Sequence, residues 1–108
     1  MLDSACVSVN SGKIARGPRN IVIVAGSKAT FTCVTDSADD DLCWGRSDKT
    51  QFLCNSVACN PGYSRNRSAR NETITVDACN YTDSVRYDCH VCKEPKDKKI
   101  ASIVVLGT

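Results

Sequence analysis

Cysteine is the residue that most constrains this chain, because 8 of its 108 residues are cysteine. An even number at this density either forms disulfides in an oxidising compartment or holds metal in a reducing one. Three Asn-x-Ser/Thr sequons, at Asn66, Asn71 and Asn80, favour the first alternative, because asparagine is glycosylated in the secretory route. We therefore expect four disulfides, an extracellular domain and no bound metal.

The length and charge of the chain narrow its class. One domain is expected, because typical domains have about 100–150 residues. The formal net charge of +2 and the 6% of aromatic residues exclude a strongly basic nucleic-acid binder and a platform for base stacking. The first residues lack the segments of a signal peptide, and the longest apolar run, residues 100–106, has the length of a strand. Any membrane anchor is expected outside these residues.

Short β-branched segments separated by turn residues predict an all-β fold. Residues 28–35, 72–78 and 84–92 alternate apolar and polar side chains, as strands that bury one face do. Glycine and proline stand between these segments at frequent intervals. No segment has a long apolar repeat of about 3.6 residues, so we expect little helix.

One set of spacings is specific enough to indicate a family. Cys33 is followed eleven residues later by Trp44, the only tryptophan. Tyr87 stands two residues before Cys89 and four after Asp83. This pattern resembles the immunoglobulin domain, with a cysteine on strand B, a buried tryptophan on C, and a tyrosine two residues before the cysteine on F. The resemblance implies a two-sheet Greek-key sandwich, a Cys33–Cys89 disulfide packed against Trp44, and a corner at which the Tyr87 hydroxyl bonds to backbone.

The resemblance favours the variable, or V, type of this domain. The 29 residues between Trp44 and Ile74 suffice for strands C′, C″ and D. A single V-type domain over 1–108 is implied, with an N-terminal extension and first strand at 1–19 and a core sandwich at 20–106. In many V domains the residue at the position of Asp83 pairs with an arginine on strand D. The candidates here are Arg65, Arg67 and Arg70.

The remaining cysteines are placed by parity on the strands that the resemblance implies. If Trp44 points inward, its neighbour Cys43 points outward, and Cys92, three residues after the inward Cys89, also points outward. Cys43 and Cys92 are therefore expected to bond to each other or to one of two further cysteines, Cys54 and Cys59. The pair left with the least support is Cys6 and Cys79.

Within the immunoglobulin superfamily, the chain resembles two groups of receptors in particular. The sequence Cys43-Trp44-Gly45-Arg46 with the later cysteines is similar to V domains of T-cell immunoglobulin and mucin receptors, which carry extra disulfides. Their lipid and calcium site needs aromatic and asparagine residues that the connection at 93–99 lacks, so that site is not carried over. Invertebrate allorecognition receptors are the second group, because V-type marks and additional cysteines occur here without the Phe-Gly-x-Gly signature of antigen receptors.

Arrangements for catalysis or metal binding have little support. The segment from Cys89 to Cys92 has the C-x-x-C form, but these two residues of a strand point to opposite faces and cannot grip one ion together. The acidic run at 39–41 lacks the glycine and the distal glutamate of a calcium loop, so we expect it to be solvated. With one histidine in the chain, no Ser/His/Asp arrangement stands out. The sequence predicts no enzyme, no catalytic residue and no cofactor.

These features predict recognition. We expect the ectodomain of a cell-surface immunoglobulin-superfamily receptor, on the extracellular side of the plasma membrane. It would bind a protein partner in cell adhesion or self/non-self recognition, preferably a second copy of itself. The family's usual binding face, formed by strands G, F, C and C′, would present Gly45, Ser47, Asp88 and His90. On the terminal strand, some of Ala101, Ile103 and Val105 would join this face. Because that strand is apolar on both faces, an inward orientation of Ile103 and Val105 stays open as the alternative.

Two alternatives remain. One is a secreted, disulfide-rich effector or inhibitor with a reactive loop between Cys54 and Cys59. The other is a lipid- or glycan-binding V domain, for which the lysines of the F–G connection, Lys96 and Lys98, are the candidate contacts.

Overall fold

A computed structural model describes residues 13–55, 57–94 and 96–107. Cys6 and most of the predicted N-terminal extension lie outside these residues. The described residues form eight strands and one 3-10 turn, Tyr81–Asp83. The strands are β1 (Ile14–Arg16), β2 (Ile21–Val24), β3 (Ala29–Thr35), β4 (Leu42–Arg46), β5 (Tyr63–Ser68), β6 (Asn71–Val76), β7 (Arg86–Val91) and β8 (Lys99–Leu106). No helix among these residues is long and apolar enough to cross a membrane.

The strands form two four-stranded sheets. One has the order β1-β3-β6-β5 and the other the order β2-β8-β7-β4. Strand β2 runs parallel to β8, whereas the other paired strands are antiparallel. Strands that are neighbours in a sheet are mostly distant in sequence, as in a Greek-key arrangement. The predicted all-β, two-sheet sandwich is confirmed.

The inward side chains of both sheets form one core. Phe31, Trp44, Tyr87, Ile74 and Ile103 are each 1% exposed. Side chains of this size, removed from water, stabilise the fold by about 1.5–3 kcal/mol each. The alternation of β8 places Ala101, Ile103 and Val105 in the core, so the prediction that some of them lie on the binding face is wrong.

A disulfide between Cys33 on β3 and Cys89 on β7 joins the two sheets through this core. Trp44 lies opposite Cys89 in the β4–β7 register, so its indole packs beside the disulfide. The Tyr87 hydroxyl donates to the carbonyl oxygen of Asp83 at 2.9 Å, which closes the corner before β7. Burial raises the pKa of Tyr87 and keeps it in the protonated form that this bond needs.

The prediction for the partner of Asp83 is wrong. Arg46, the last residue of β4, is the partner of Asp83. Its Nη1 donates to Asp83 Oδ1 at 2.6 Å and to the Tyr63 hydroxyl at 2.8 Å. Burial opposes its charge, but hydrogen bonds to Asp48 and Asp83 outweigh burial and raise the pKa of Arg46.

Two of the three predicted arginines form ion pairs with a different carboxylate, that of Glu72. Arg65 and Arg67 occupy inward positions on β5 and reach Glu72 on the adjacent strand at 3.8 and 3.7 Å. Glu72 is 2% exposed and also accepts a hydrogen bond from Trp44 Nε1 at 2.8 Å. Arg70 stands in the exposed turn after β5. Arg65 and Arg67 on β5 therefore pair with a buried carboxylate on the neighbouring strand.

The segment between β4 and β5 differs from a V-type pattern with regular C′ and C″ strands. In residues 47–55 and 57–62, the isolated bridges are Trp44–Cys54 and Cys54–Cys59. A disulfide between Cys54 and Cys59 closes part of this segment into a small loop. The sheet β2-β8-β7-β4 consequently ends at β4 with a small hairpin beside it.

Candidate recognition face

The outer surface of the sheet β2-β8-β7-β4, called here the β8 face, carries exposed aliphatic side chains. Because β2 and β8 are parallel and in register, Val22 lies beside Val104 and Val24 beside Leu106. These four side chains are 64%, 48%, 50% and 49% exposed, in the same order. Ile100, further along β8, is 60% exposed. A contiguous apolar patch on a domain this small is typical of an interaction site.

Strand β7 adds a row of polar side chains to this face. Tyr87 and Cys89 point into the core, so Arg86, Asp88 and His90 point outward. The Asp88 carboxylate lies 3.0 Å from His90 Nδ1 and its side chain is 18% exposed. Arg86 is exposed. The predicted binding residue Asp88 is therefore accessible, and a histidine positions it.

Two of the predicted binding residues are buried. His90 is 0% exposed, because Phe52, from the hairpin beside β4, places its ring 5.0 Å from the imidazole. Gly45 is also buried, opposite Asp88 in the β4–β7 register. A Cβ at Gly45 would lie 2.6 Å from Asp88 Oδ2, so the carboxylate occupies the space above the glycine. Parity gave the correct face for both residues, but neither can contact a partner directly.

The extra disulfides lie on this face and beside it. Cys43, paired with His90 across β4 and β7, is bonded to Cys92, one of the pairings that parity allows. The two further cysteines, Cys54 and Cys59, are bonded to each other. Cys79 is buried and forms no disulfide with another described residue; burial raises the pKa of its thiol, and its predicted partner lies outside the described residues. Three disulfides therefore hold the described part of the domain.

The other outer surface, that of the sheet β1-β3-β6-β5, is called here the β6 face, and it is polar. Its outward residues are hydroxyl and amide side chains, among them Thr30, Thr32, Ser64, Asn66, Asn71 and Thr75. The hydroxyls of Thr30 and Thr75 lie 3.2 Å apart across β3 and β6. Two of the three predicted glycosylation sites, Asn66 and Asn71, are exposed on this face.

The remaining predicted residues lie at the ends of the sandwich. Asn80 is exposed and caps the 3-10 turn by accepting from the Thr82 amide at 3.0 Å. Ser47 follows β4 and accepts from the Arg86 amide at 3.3 Å. Lys96 and Lys98 are exposed on the connection between β7 and β8.

Sequence reasoning missed the residues that make the β8 face apolar. Val22, Val24 and Ile100 were not assigned to a surface, and Phe52 was not assigned a role. The signal for the first two was the apolar run of β2, in which consecutive residues cannot all point into the core.

No protein-family model matches the chain, and no curated protein matches it. Solved immunoglobulin domains are similar in structure. A homodimeric ZIG-8 IG1 domain has a TM-score of 0.75 at 19% identity, over 98% of this chain and 100% of that one. The Ig1 domain of mouse SynCAM 2 has a TM-score of 0.74 at 22% identity, over 90% and 98%.

A chimeric titin Z1Z2 tandem has a TM-score of 0.74 at 20% identity over 87% of this chain, which spans about half (49%) of that tandem. Similarity at these identities establishes the fold. With the sheet arrangement described above, it confirms the predicted immunoglobulin-like sandwich with extra disulfides.

Proposed function

We propose that this immunoglobulin-like domain is the recognition module of a cell-surface receptor and binds a second copy of itself through the β8 face. The binding would serve adhesion or self/non-self recognition between cells. Within this proposal the domain is a divergent V type, whose C′ region is reduced to the hairpin closed by Cys54 and Cys59. Recognition needs no reacting group, only a rigid sandwich that holds a surface in place.

The contrast between the two outer faces carries the proposal. The β8 face exposes the aliphatic pairs Val22–Val104 and Val24–Leu106, whereas the β6 face exposes hydroxyls and amides. Exposed apolar area is what association can remove from water. Glycans on Asn66 and Asn71 would cover the β6 face and leave the β8 face open. One face is therefore suited to contact and the other to solvent.

An extracellular location fits the same residues. Structural disulfides persist in oxidising compartments, and three of them hold the described residues. The three sequon asparagines are exposed, as modification requires. One similar structure is a homodimer of a ZIG-8 immunoglobulin domain, which shows that a sandwich of this shape can pair with itself.

Self-association of the purified, glycosylated chain tests the proposal. Sedimentation equilibrium should show a reversible dimer, and beads coated with the domain should aggregate. Val104→Asp should weaken the dimer at least about tenfold, because it places a charge among the aliphatic side chains of Val22, Val24 and Leu106. The control is Thr32→Asp, the same introduced charge on an exposed position of the β6 face, which should not change the dimer. A chain that stays monomeric at about 1 mM, the limit of weak association, contradicts homophilic binding.

A further inference from the structure

The polar row on β7 carries opposite charges at adjacent outward positions. Arg86 and Asp88 are two residues apart, so their Cα atoms are separated by about 7 Å along the strand. Arg86 is exposed, and no carboxylate of the described residues forms an ion pair with it. Asp88 keeps part of its carboxylate accessible while it bonds to His90. One strand thus offers a cation and an anion that are not paired with each other.

This arrangement is complementary to itself in one orientation. In an isologous dimer, residue i contacts j of the second copy and j contacts i. If the two-fold axis lies in the interface, crosses β7 at Tyr87 and is perpendicular to the strand, the two β7 strands run antiparallel. Arg86 of each copy then faces Asp88 of the other.

We propose that the β8 face binds a second copy of the chain in this antiparallel orientation, with two reciprocal Arg86–Asp88 ion pairs at its centre. The proposal rests on the homophilic function proposed above and adds its geometry. A two-fold axis parallel to β7 would instead place Arg86 opposite Arg86 and Asp88 opposite Asp88. Like charges in contact are repelled, so the row selects one orientation and rejects the other.

The surroundings of the pair favour its formation. Ile100 lies beside Asp88 in the β7–β8 register and is exposed, so closing the interface would remove water from the carboxylate. The Asp88 carboxylate is bonded to His90 and lies against Gly45, and these two contacts fix its position before binding. A positioned acceptor loses little freedom on association. A guanidinium and a carboxylate also match in geometry, which makes arginine a suitable cation for this contact.

Paired charge reversals test the geometry. Arg86→Glu alone and Asp88→Lys alone each create two like-charge contacts in a homodimer and should weaken self-association at least about tenfold. Mixed one to one, the two variants should form a heterodimer with affinity within about threefold of the native homodimer, because both contacts again join opposite charges. Sedimentation velocity with one variant fluorescently labelled measures the mixed species.

Controls separate this geometry from misfolding and from a charge effect. Arg70→Glu makes the same charge change in an exposed turn outside the β8 face and should leave the dimer unchanged. Asp88→Asn keeps the shape against Gly45, and it should weaken the homodimer with a native thermal melt. Native dimerisation of either reversal, or a mixture that fails to dimerise when both variants have native near-ultraviolet circular dichroism, overturns the antiparallel pairing and leaves homophily standing. A monomeric native chain contradicts the proposed function itself.

Discussion

The two outer faces of the sandwich differ although their inner faces are alike. Both sheets bury aliphatic and aromatic side chains in one core, and a disulfide joins them. On the outside, the β6 face presents threonine, serine and asparagine, and the β8 face presents valine, leucine and isoleucine. Threonine is branched at Cβ like valine and suits a strand equally well. Strand formation therefore does not explain the difference, whereas the proposed contact through the β8 face does.

The strongest test of this contrast is to make the β8 face resemble the β6 face. The double change Ser102→Asn with Val104→Thr creates an Asn-Ile-Thr sequon at the centre of the β8 face, beside Arg86 in the register. A glycan there should abolish self-association in a chain made by a secreting eukaryotic cell, because the sugar holds the two faces apart. Sedimentation equilibrium and mass spectrometry measure the association and the glycan occupancy.

The matched control keeps the chemistry and omits the sugar. Ser102→Gln with Val104→Thr has the same threonine but no sequon, and it should retain most of the association. Removing the native site by Asn66→Gln, on the β6 face, should leave self-association unchanged. A dimer that persists with a fully occupied glycan at position 102 would show that the β8 face is not the interface.

A second test compares the disulfide on the β8 face with the one beside it. Cys43→Ala with Cys92→Ala opens a link between residues 49 apart, and Cys54→Ala with Cys59→Ala opens one between residues 5 apart. The chain-entropy model gives upper losses of about 4 and about 2 kcal/mol in the free energy of unfolding. Urea denaturation measures both. Equal losses would show that native-state contacts, rather than loop length, decide the contribution of the Cys43–Cys92 bond.

A third test removes the space that Asp88 uses. Gly45→Ala puts a methyl carbon 2.6 Å from the position of Asp88 Oδ2, so we expect the carboxylate to rotate and to lose its bond to His90. We expect a loss of about 1–3 kcal/mol in the free energy of unfolding, the usual cost of leaving a buried polar group, here the His90 imidazole, without its partner. In a chain that already carries Asp88→Ala, adding Gly45→Ala should cause no further loss in the free energy of unfolding. Additive losses in this cycle would mean that the two residues do not interact.

The smallest effect is expected on the β6 face. Thr75→Val replaces a hydroxyl that lies 3.2 Å from the Thr30 hydroxyl by a methyl group of similar shape. Cross-strand pairs contribute about 0.2–1 kcal/mol, so the melting temperature should fall only slightly and the dimer should not change. A change in self-association comparable to that of Val104→Asp would remove the functional distinction between the two faces.

The parts of the fold that follow from alternation and spacing were predictable from the sequence. Cys33 and Cys89 lie on strands whose alternation is visible in the sequence, and Trp44 was placed by the resemblance to immunoglobulin domains. The structure places all three in the core. The neighbours of these residues, such as Cys43, then point outward. Parity determines the side of a strand on which a residue lies, and this local rule is sufficient for a two-sheet core.

What covers an outward residue could not be predicted in this way. His90 is buried by Phe52, which comes from a segment without periodicity, 38 positions earlier in the chain. Gly45 is buried by the side chain of Asp88 on the neighbouring strand. The partner of Asp83 was missed for the same reason, since the Arg46–Asp83 pair joins residues from separate parts of the chain. Such contacts depend on the register, which spacing within one strand does not determine.

The hairpin beside β4 has a consequence for crowded surfaces. The Trp44 amide donates to the Cys54 carbonyl oxygen at 3.0 Å, and the Trp44 carbonyl oxygen accepts from Leu53 at 2.8 Å. The middle of this edge strand therefore offers no open backbone groups to a foreign strand, and the Cys54–Cys59 disulfide keeps the cover in place. Unprotected edges recruit strands from neighbouring molecules and lead to aggregation. Blocking the β4 edge lets many copies lie close together without joining their sheets at this edge.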